Sequence, residues 1–78
     1  MEINVTPRFI KSYKKLHKKI QEKAKVKEAV FRKNPFDKRL KTHKLSGKEK
    51  EAWAFWVDYS YRLGFVPQPN LKALFLGI

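Results

Sequence analysis

The residues of this chain that could do chemistry are of four types: arginine, lysine, histidine and tyrosine. No paired carboxylates, no Ser-His-Asp set, no phosphate-cradling glycine loop and no metal-ligand spacing can be found. Any catalysis therefore rests on cationic groups and an imidazole, a set that suits RNA cleavage. Arg62 is the first candidate. It sits mid-strand in the run Tyr61-Arg62-Leu63, with Trp56 on the same expected face, and a guanidinium beside an indole suits a phosphate and an unstacked base. His43 is the second, as the one histidine outside the expected helices. It lies among Lys38, Arg39, Lys41 and Lys44, where it could act as a general base while the lysines and the arginine hold a polyanion. Read locally, Arg62 is equally a solvated charge on the open side of a sheet, His43 a solvated loop imidazole and Trp56 a packing residue. His17 falls near an apolar helical stripe and reads as a boundary or packing residue. With no cysteine and two histidines, neither a disulfide nor an ordinary protein metal site is available, and no cofactor is expected.

The elements that must position these groups follow from periodicity. Ile3 and Val5 alternate with polar neighbours and predict a short first strand. Thr6-Pro7 is a helix start, with Thr6 as N-cap and Pro7 at the first helical position. Phe9, Ile10, Tyr13, Leu16 and Ile20 follow at helical spacing, with Ala24, Val30 and Phe31 beyond, up to the stop at Asn34-Pro35. A single helix of that length would run about 40 Å, against a radius of gyration of roughly 12 Å for a compact chain of this size. A break near residues 17–21 is therefore expected, giving a helical hairpin. Residues 38–45 read as a basic loop. Trp53, Phe55 and Val57 alternate as one strand, Tyr61, Leu63 and Phe65 as the next. Pro67-Gln68-Pro69-Asn70 reads as a turn, and residues 71–76 as the last strand. The result is an α+β domain spanning 1–78: a strand, two helices, then an antiparallel meander with the helices on one face. On that alternation Ala54, Trp56, Arg62 and Gly64 face away from the helices, the two small residues leaving room around Arg62.

Charge divides the chain. Of its 19 lysines and arginines, 17 fall in residues 1–50 against five acidic residues, and the formal net charge is +12. Residues 51–78 are neutral but hold seven of the eleven aromatics. Such a field attracts polyanions and makes binding depend on salt. The first residues do not form a signal peptide and no stretch approaches 18 apolar residues, so a cytoplasmic location with no membrane association is expected.

Several segments together resemble the RelE/ParE toxin superfamily, in particular its messenger-RNA-cleaving RelE, YoeB and YafQ branches: Phe9-x-Lys11-Ser12-Tyr13-Lys14-Lys15-Leu16, Asn34-Pro35-Phe36-Asp37, Leu40-Lys41-Thr42-His43-Lys44-Leu45-Ser46-Gly47, Trp53-Ala54-Phe55-Trp56-Val57 and Tyr61-Arg62-Leu63. The match runs in order through nearly the whole chain. The resemblance implies a toxin of a type II toxin-antitoxin system, with a cognate antitoxin, messenger RNA and the ribosome as partners. It implies cleavage by attack of a ribose 2′-hydroxyl on the adjacent phosphorus. On it, Arg62 would stabilise charge at the scissile phosphate, His43 would move a proton, and Lys41 and Lys44 would hold the RNA backbone. Ala54 and Trp56 stand where relatives often place a cation. Relatives also continue past the equivalent of Leu76-Gly77-Ile78 into a Gly-x-His-Asp-like segment that supplies an acid or base. Its apparent absence implies impaired cleavage, by roughly 100- to 10,000-fold. A ParE-like topoisomerase inhibitor, a non-catalytic RNA- or antitoxin-binding remnant and a helix pair docking on anionic membranes are the alternatives from other classes. The basic segment around His43 counts against the topoisomerase reading, and lysines on all sides of the helices count against the membrane one.

Overall fold

The computed structural model describes residues 1–46 and 51–78. Strand β1 (Glu2–Val5) leads into helices α1 (Pro7–Lys14) and α2 (Lys18–Lys33), followed by a 3-10 turn, Lys38–Leu40. Strands β2 (His43–Lys44), β3 (Trp53–Trp56), β4 (Arg62–Gln68) and β5 (Lys72–Gly77) complete the chain. The architecture is α+β. The strands form one sheet in the order β1-β5-β4-β3-β2. The last four make an antiparallel meander, and β1 joins β5 in parallel, so the sheet is mixed. The Cα radius of gyration is 11.6 Å, in line with a compact chain of this length. Among the described residues no helix is long and apolar enough to cross a membrane.

Helix α1 begins where capping chemistry requires. The Thr6 hydroxyl oxygen accepts from the Phe9 amide at 3.0 Å and the same hydroxyl donates to the Leu76 carbonyl at 3.1 Å, tying the helix start to the end of β5. The helical break lies at residues 15–17, slightly earlier than the expected 17–21. No Gly or Pro marks it. Its cause is His17, whose Nδ1 accepts from the Lys19 amide and caps α2. Gln21 donates to the Tyr13 carbonyl at 2.9 Å and Tyr13 donates back to the Gln21 carbonyl at 3.4 Å, clasping the two helices.

The core is an aromatic stack between α2 and the sheet. Phe31 is fully buried and its ring lies 5.1, 4.8 and 5.4 Å from those of Phe55, Phe65 and Phe75, one on each of three adjacent strands. Phe9, Ala24, Leu40, Val57, Leu63 and Ala73 close the same core. Inward residues alternate along β3, β4 and β5, which turns Trp56, Arg62 and Gly64 outward.

Three expectations are corrected. Pro67 is a strand residue of β4, paired with Ala73, rather than the start of a turn. Strand β3 pairs β4 only as far as Phe65, so the side of Pro67 that lacks an N–H faces no neighbouring strand and no ladder bond is lost. The turn is instead residues 69–71, with Asn70 and Leu71 both at positive φ, which removes Leu71 from the last strand. The basic segment 38–45 is not a plain loop, because it contains the 3-10 turn and β2.

Phe31→Ala is expected to destabilise the fold by about 3–5 kcal/mol, read as a lowered urea midpoint with unchanged slope. A loss under about 1 kcal/mol would show that the three strands do not depend on this ring.

Candidate nucleic-acid interface

The outer face of the sheet is built from cross-strand rungs, whose opposed side chains share a face. One rung runs His43, Ala54, Gly64, Gly77 through β2, β3, β4 and β5. The next pairs Trp56 with Arg62. His43 and Arg62 therefore stand on the same face, two strand spacings across the sheet and two residues along it, about 12 Å apart between backbones. Arg62 is exposed. Its guanidinium carbon lies 4.4 Å from the centroid of the Trp56 ring, and its Nη1 reaches the Tyr59 carbonyl at 3.5 Å. Lys41 Nζ also stands over Trp56, at 4.5 Å. Lys41 is in the left-handed region, φ 50°, as the residue closing the 3-10 turn. The resulting cluster is an indole contacted by two cations on a solvent-facing sheet.

Beside it lies a hollow of about 360 Å³ whose lining includes Arg8, Ser12, Arg62, Gly64, Leu76 and Gly77. Two features make the space. Gly64 and Gly77 oppose each other with no side chains. A register shift between Gly64 and Phe65 leaves Leu76 unpaired in β5, a bulge that bends the strand at this point. Arg8 was not singled out from the sequence. Its signal there is only a cation in the first turn of a helix, and what brings it to Arg62 is the docking of α1 against β5. The room around Arg62 comes from the glycines and the bulge: Ala54, expected to help, is 3% exposed and covered.

Carboxylates close to the face are committed elsewhere. Asp58, four residues before Arg62, accepts from the amides of Ser60 and Tyr61 through Oδ1 and faces Lys23 on α2 at 3.6 Å through Oδ2. Asp37 holds Arg39 in a two-pronged ion pair at 2.9 and 3.0 Å and also accepts from its amide. Among the described residues, no acid pairs with Arg62, Arg8 or Lys41.

His43 is oriented by its backbone surroundings. Its Nδ1 lies 3.0 Å from the Lys41 carbonyl oxygen. That oxygen can only accept, so a neutral ring making this bond carries its proton on Nδ1 and leaves the Nε2 lone pair available. Of the other sequence candidates, Lys38 is exposed on the 3-10 turn and Arg39 is occupied by Asp37. Lys44, paired with Trp53 and next to His43, belongs by alternation to the opposite face at the sheet edge. The structure thus brings Arg62 and Lys41 together over Trp56, leaves His43 on the same face, adds Arg8 to the hollow, and sets Lys44 apart. Gly47 of the expected His-x-Leu-x-Gly turn lies outside the described residues.

The Arg39 guanidinium and amide hold the Asp37 carboxyl down from the usual 3.8 to about 2. A carboxyl depressed in the folded state adds stability that is complete above its ordinary value and lost as pH falls through the folded one. The contribution should persist from neutrality to about pH 4 and vanish near pH 2. A side-chain NMR titration of Asp37 is expected to show its midpoint near 2 in the parent chain and to move toward 3.8 in Arg39→Ala. A parent midpoint at 3.8 would contradict the pairing.

No protein-family profile and no curated protein sequence matches the chain. Solved structures do match by fold. The YoeB/ParE toxin from Agrobacterium tumefaciens superposes with a TM-score of 0.83 at 15% identity, over 99% of this chain and 94% of the other. The YoeB dimer from Staphylococcus aureus gives 0.81 at 17% identity, over 99% and 92%. The archaeal RelE-RelB complex from Pyrococcus horikoshii gives 0.78 at 12% identity, over 97% and 89%. The S. aureus toxin is also known in complex with an antitoxin, YefM.

Proposed function

We propose that this chain, which has the fold of the RelE and YoeB toxins, is itself a toxin of the RelE/ParE superfamily that cuts messenger RNA and is held in check by a cognate antitoxin. The observation that carries the reading is Arg62: an exposed guanidinium, unpaired with any acid among the described residues, standing over an indole at the rim of a glycine-floored hollow. A phosphodiester in that hollow meets Arg62 and Arg8, and a base that leaves its stack can lie on or beside Trp56. The antitoxin is supported by the complexes that fold relatives form with RelB and YefM.

In this reading the 2′-hydroxyl oxygen attacks the adjacent phosphorus as its proton passes to Nε2 of His43. The bond from phosphorus to the 5′-oxygen breaks, a 2′,3′-cyclic phosphate forms, and the leaving 5′-oxygen takes a proton from water. Arg62 donates hydrogen bonds to the non-bridging oxygens, where negative charge grows in the transition state. Lys41 holds the flanking backbone from the same face. Lys38 and, from the sheet edge, Lys44 add long-range attraction, whereas Arg39 is neutralised by Asp37. His43 and Arg62 lie about 12 Å apart between backbones, a gap that their side chains with a bound ribose and phosphate would bridge. The ribosome is the expected setting, because it would present a single strand of message to so small a face.

Purified chain mixed with ribosomes and message should produce discrete cuts, mapped by primer extension. Arg62→Ala should lower the cutting rate about 100- to 1,000-fold, and His43→Ala by about 100-fold or more. Neither residue is part of the core, so thermal melts should be unchanged. Cutting that survives Arg62→Ala in a folded protein would remove the reading.

A further inference from the structure

Trp56 has a second side. A cleft of about 230 Å³ opens between α2, the 3-10 turn and the β3–β4 hairpin, lined by Lys23, Lys27, Arg39, Lys41, Trp56 and Tyr59. It is distinct from the hollow that holds Arg62, since the two share no lining residue. They meet at the indole. Arg62 belongs to the hollow and Lys41 to the cleft, and both cationic heads stand over the same ring, at 4.4 and 4.5 Å.

Tyr59 is the least expected member of this cleft. It sits at the tip of the hairpin, 88% exposed, with its ring edge-on to Trp56 at a centroid distance of 6.4 Å. The fold does not need its side chain there. The hairpin is closed by Asp58 capping the amides of Ser60 and Tyr61 and by the Val57 amide donating to the Tyr61 carbonyl at 2.9 Å. The contact of Tyr59 with Arg62 is through its backbone carbonyl alone. Of the four cations around this cleft, Lys23 faces Asp58 and Arg39 is held by Asp37, which leaves Lys27 and Lys41 as the cations without an acid among the described residues. With an exposed phenol beside an indole they offer a stacking surface with phosphate attraction next to it.

We infer that this cleft is a second nucleotide subsite, which holds the nucleotide next to the scissile one by stacking its base on Tyr59 and drawing its phosphate to Lys27 and Lys41. The single strand then passes from the Arg62 hollow over Trp56 into the cleft. The inference rests on the reading of the chain as an RNA-cutting toxin and adds to it a binding register that Arg62 and His43 do not supply. Lys27 is positioned for this by its own backbone contact, Nζ donating to the Arg39 carbonyl at 3.2 Å, which keeps its ammonium group at the cleft wall.

The test uses the full chain and a fluorescently labelled oligoribonucleotide made uncleavable by a 2′-deoxy substitution at the scissile position. Binding is followed by anisotropy across a range of salt. Tyr59→Ala should weaken binding about tenfold, and Tyr59→Phe should restore it, because a ring and not a hydroxyl is needed. Lys27→Gln, which retains a donor for the Arg39 carbonyl, should reduce the salt slope by about 0.7. Shortening the oligonucleotide until it fills only the Arg62 hollow should erase the difference between Tyr59→Ala and parent. Parent-like affinity in Tyr59→Ala together with an unchanged slope in Lys27→Gln overturns the subsite, and the nuclease reading then stands or falls separately on the cutting assay with Arg62→Ala. If both substitutions weaken capture of an acidic peptide and leave RNA binding untouched, the cleft is a protein-docking surface and the inference is overturned.

Discussion

One ring organises this molecule. Phe31 projects from α2 into contact with Phe55, Phe65 and Phe75, and so joins the long helix to β3, β4 and β5 at once. Burial of several aromatics in so short a chain contributes much of the apolar area the fold has to offer. Because strand side chains alternate, drawing those phenylalanines to one face forces their neighbours to the other. Arg62, Gly64 and Trp56 are outward because Leu63, Phe65 and Phe55 are inward. The interface is the complement of the core.

The second constraint is electrostatic. A chain with a net charge of +12 has few carboxylates to distribute, and those near the outer face serve local backbone needs. Asp58 caps the β3–β4 hairpin and Asp37 caps the 3-10 turn. Each capping bond satisfies amide groups and at the same time withdraws an acid from the cations around Trp56. The positive potential over the sheet thus survives folding, and a field of that sign attracts polyanions. Arg39 shows the opposite outcome: a cation in a basic run whose guanidinium is already engaged by Asp37.

The hollow beside Arg62 depends on backbone more than on side chains. Two opposed glycines and a bulge at Leu76 open space that alanine at 54 does not. The Thr6 hydroxyl pins the start of α1 to the Leu76 carbonyl next to that bulge, and this brings Arg8 to the same hollow. Helix capping, strand irregularity and the placement of a second arginine are therefore one piece of geometry.

Much of this was legible in the sequence. The 3.6- and 2-residue periods, Thr6-Pro7 and Asn34-Pro35 marked the helical region and the meander, and alternation alone put Arg62 and Trp56 on a common outward face. Those features are local, set by steric preference and burial along a few residues of chain. Tertiary structure decided what depends on partners distant in sequence. It turned α2 back against α1 through the Tyr13–Gln21 clasp at a site with no Gly or Pro, and it admitted Pro67 to β4 because β3 stops short of it. It also placed β1 beside β5 in parallel and brought Arg8 to the hollow that Arg62 lines. Cross-strand register and helix docking bring together groups that the chain keeps far apart, so no reading of neighbouring residues could have supplied them.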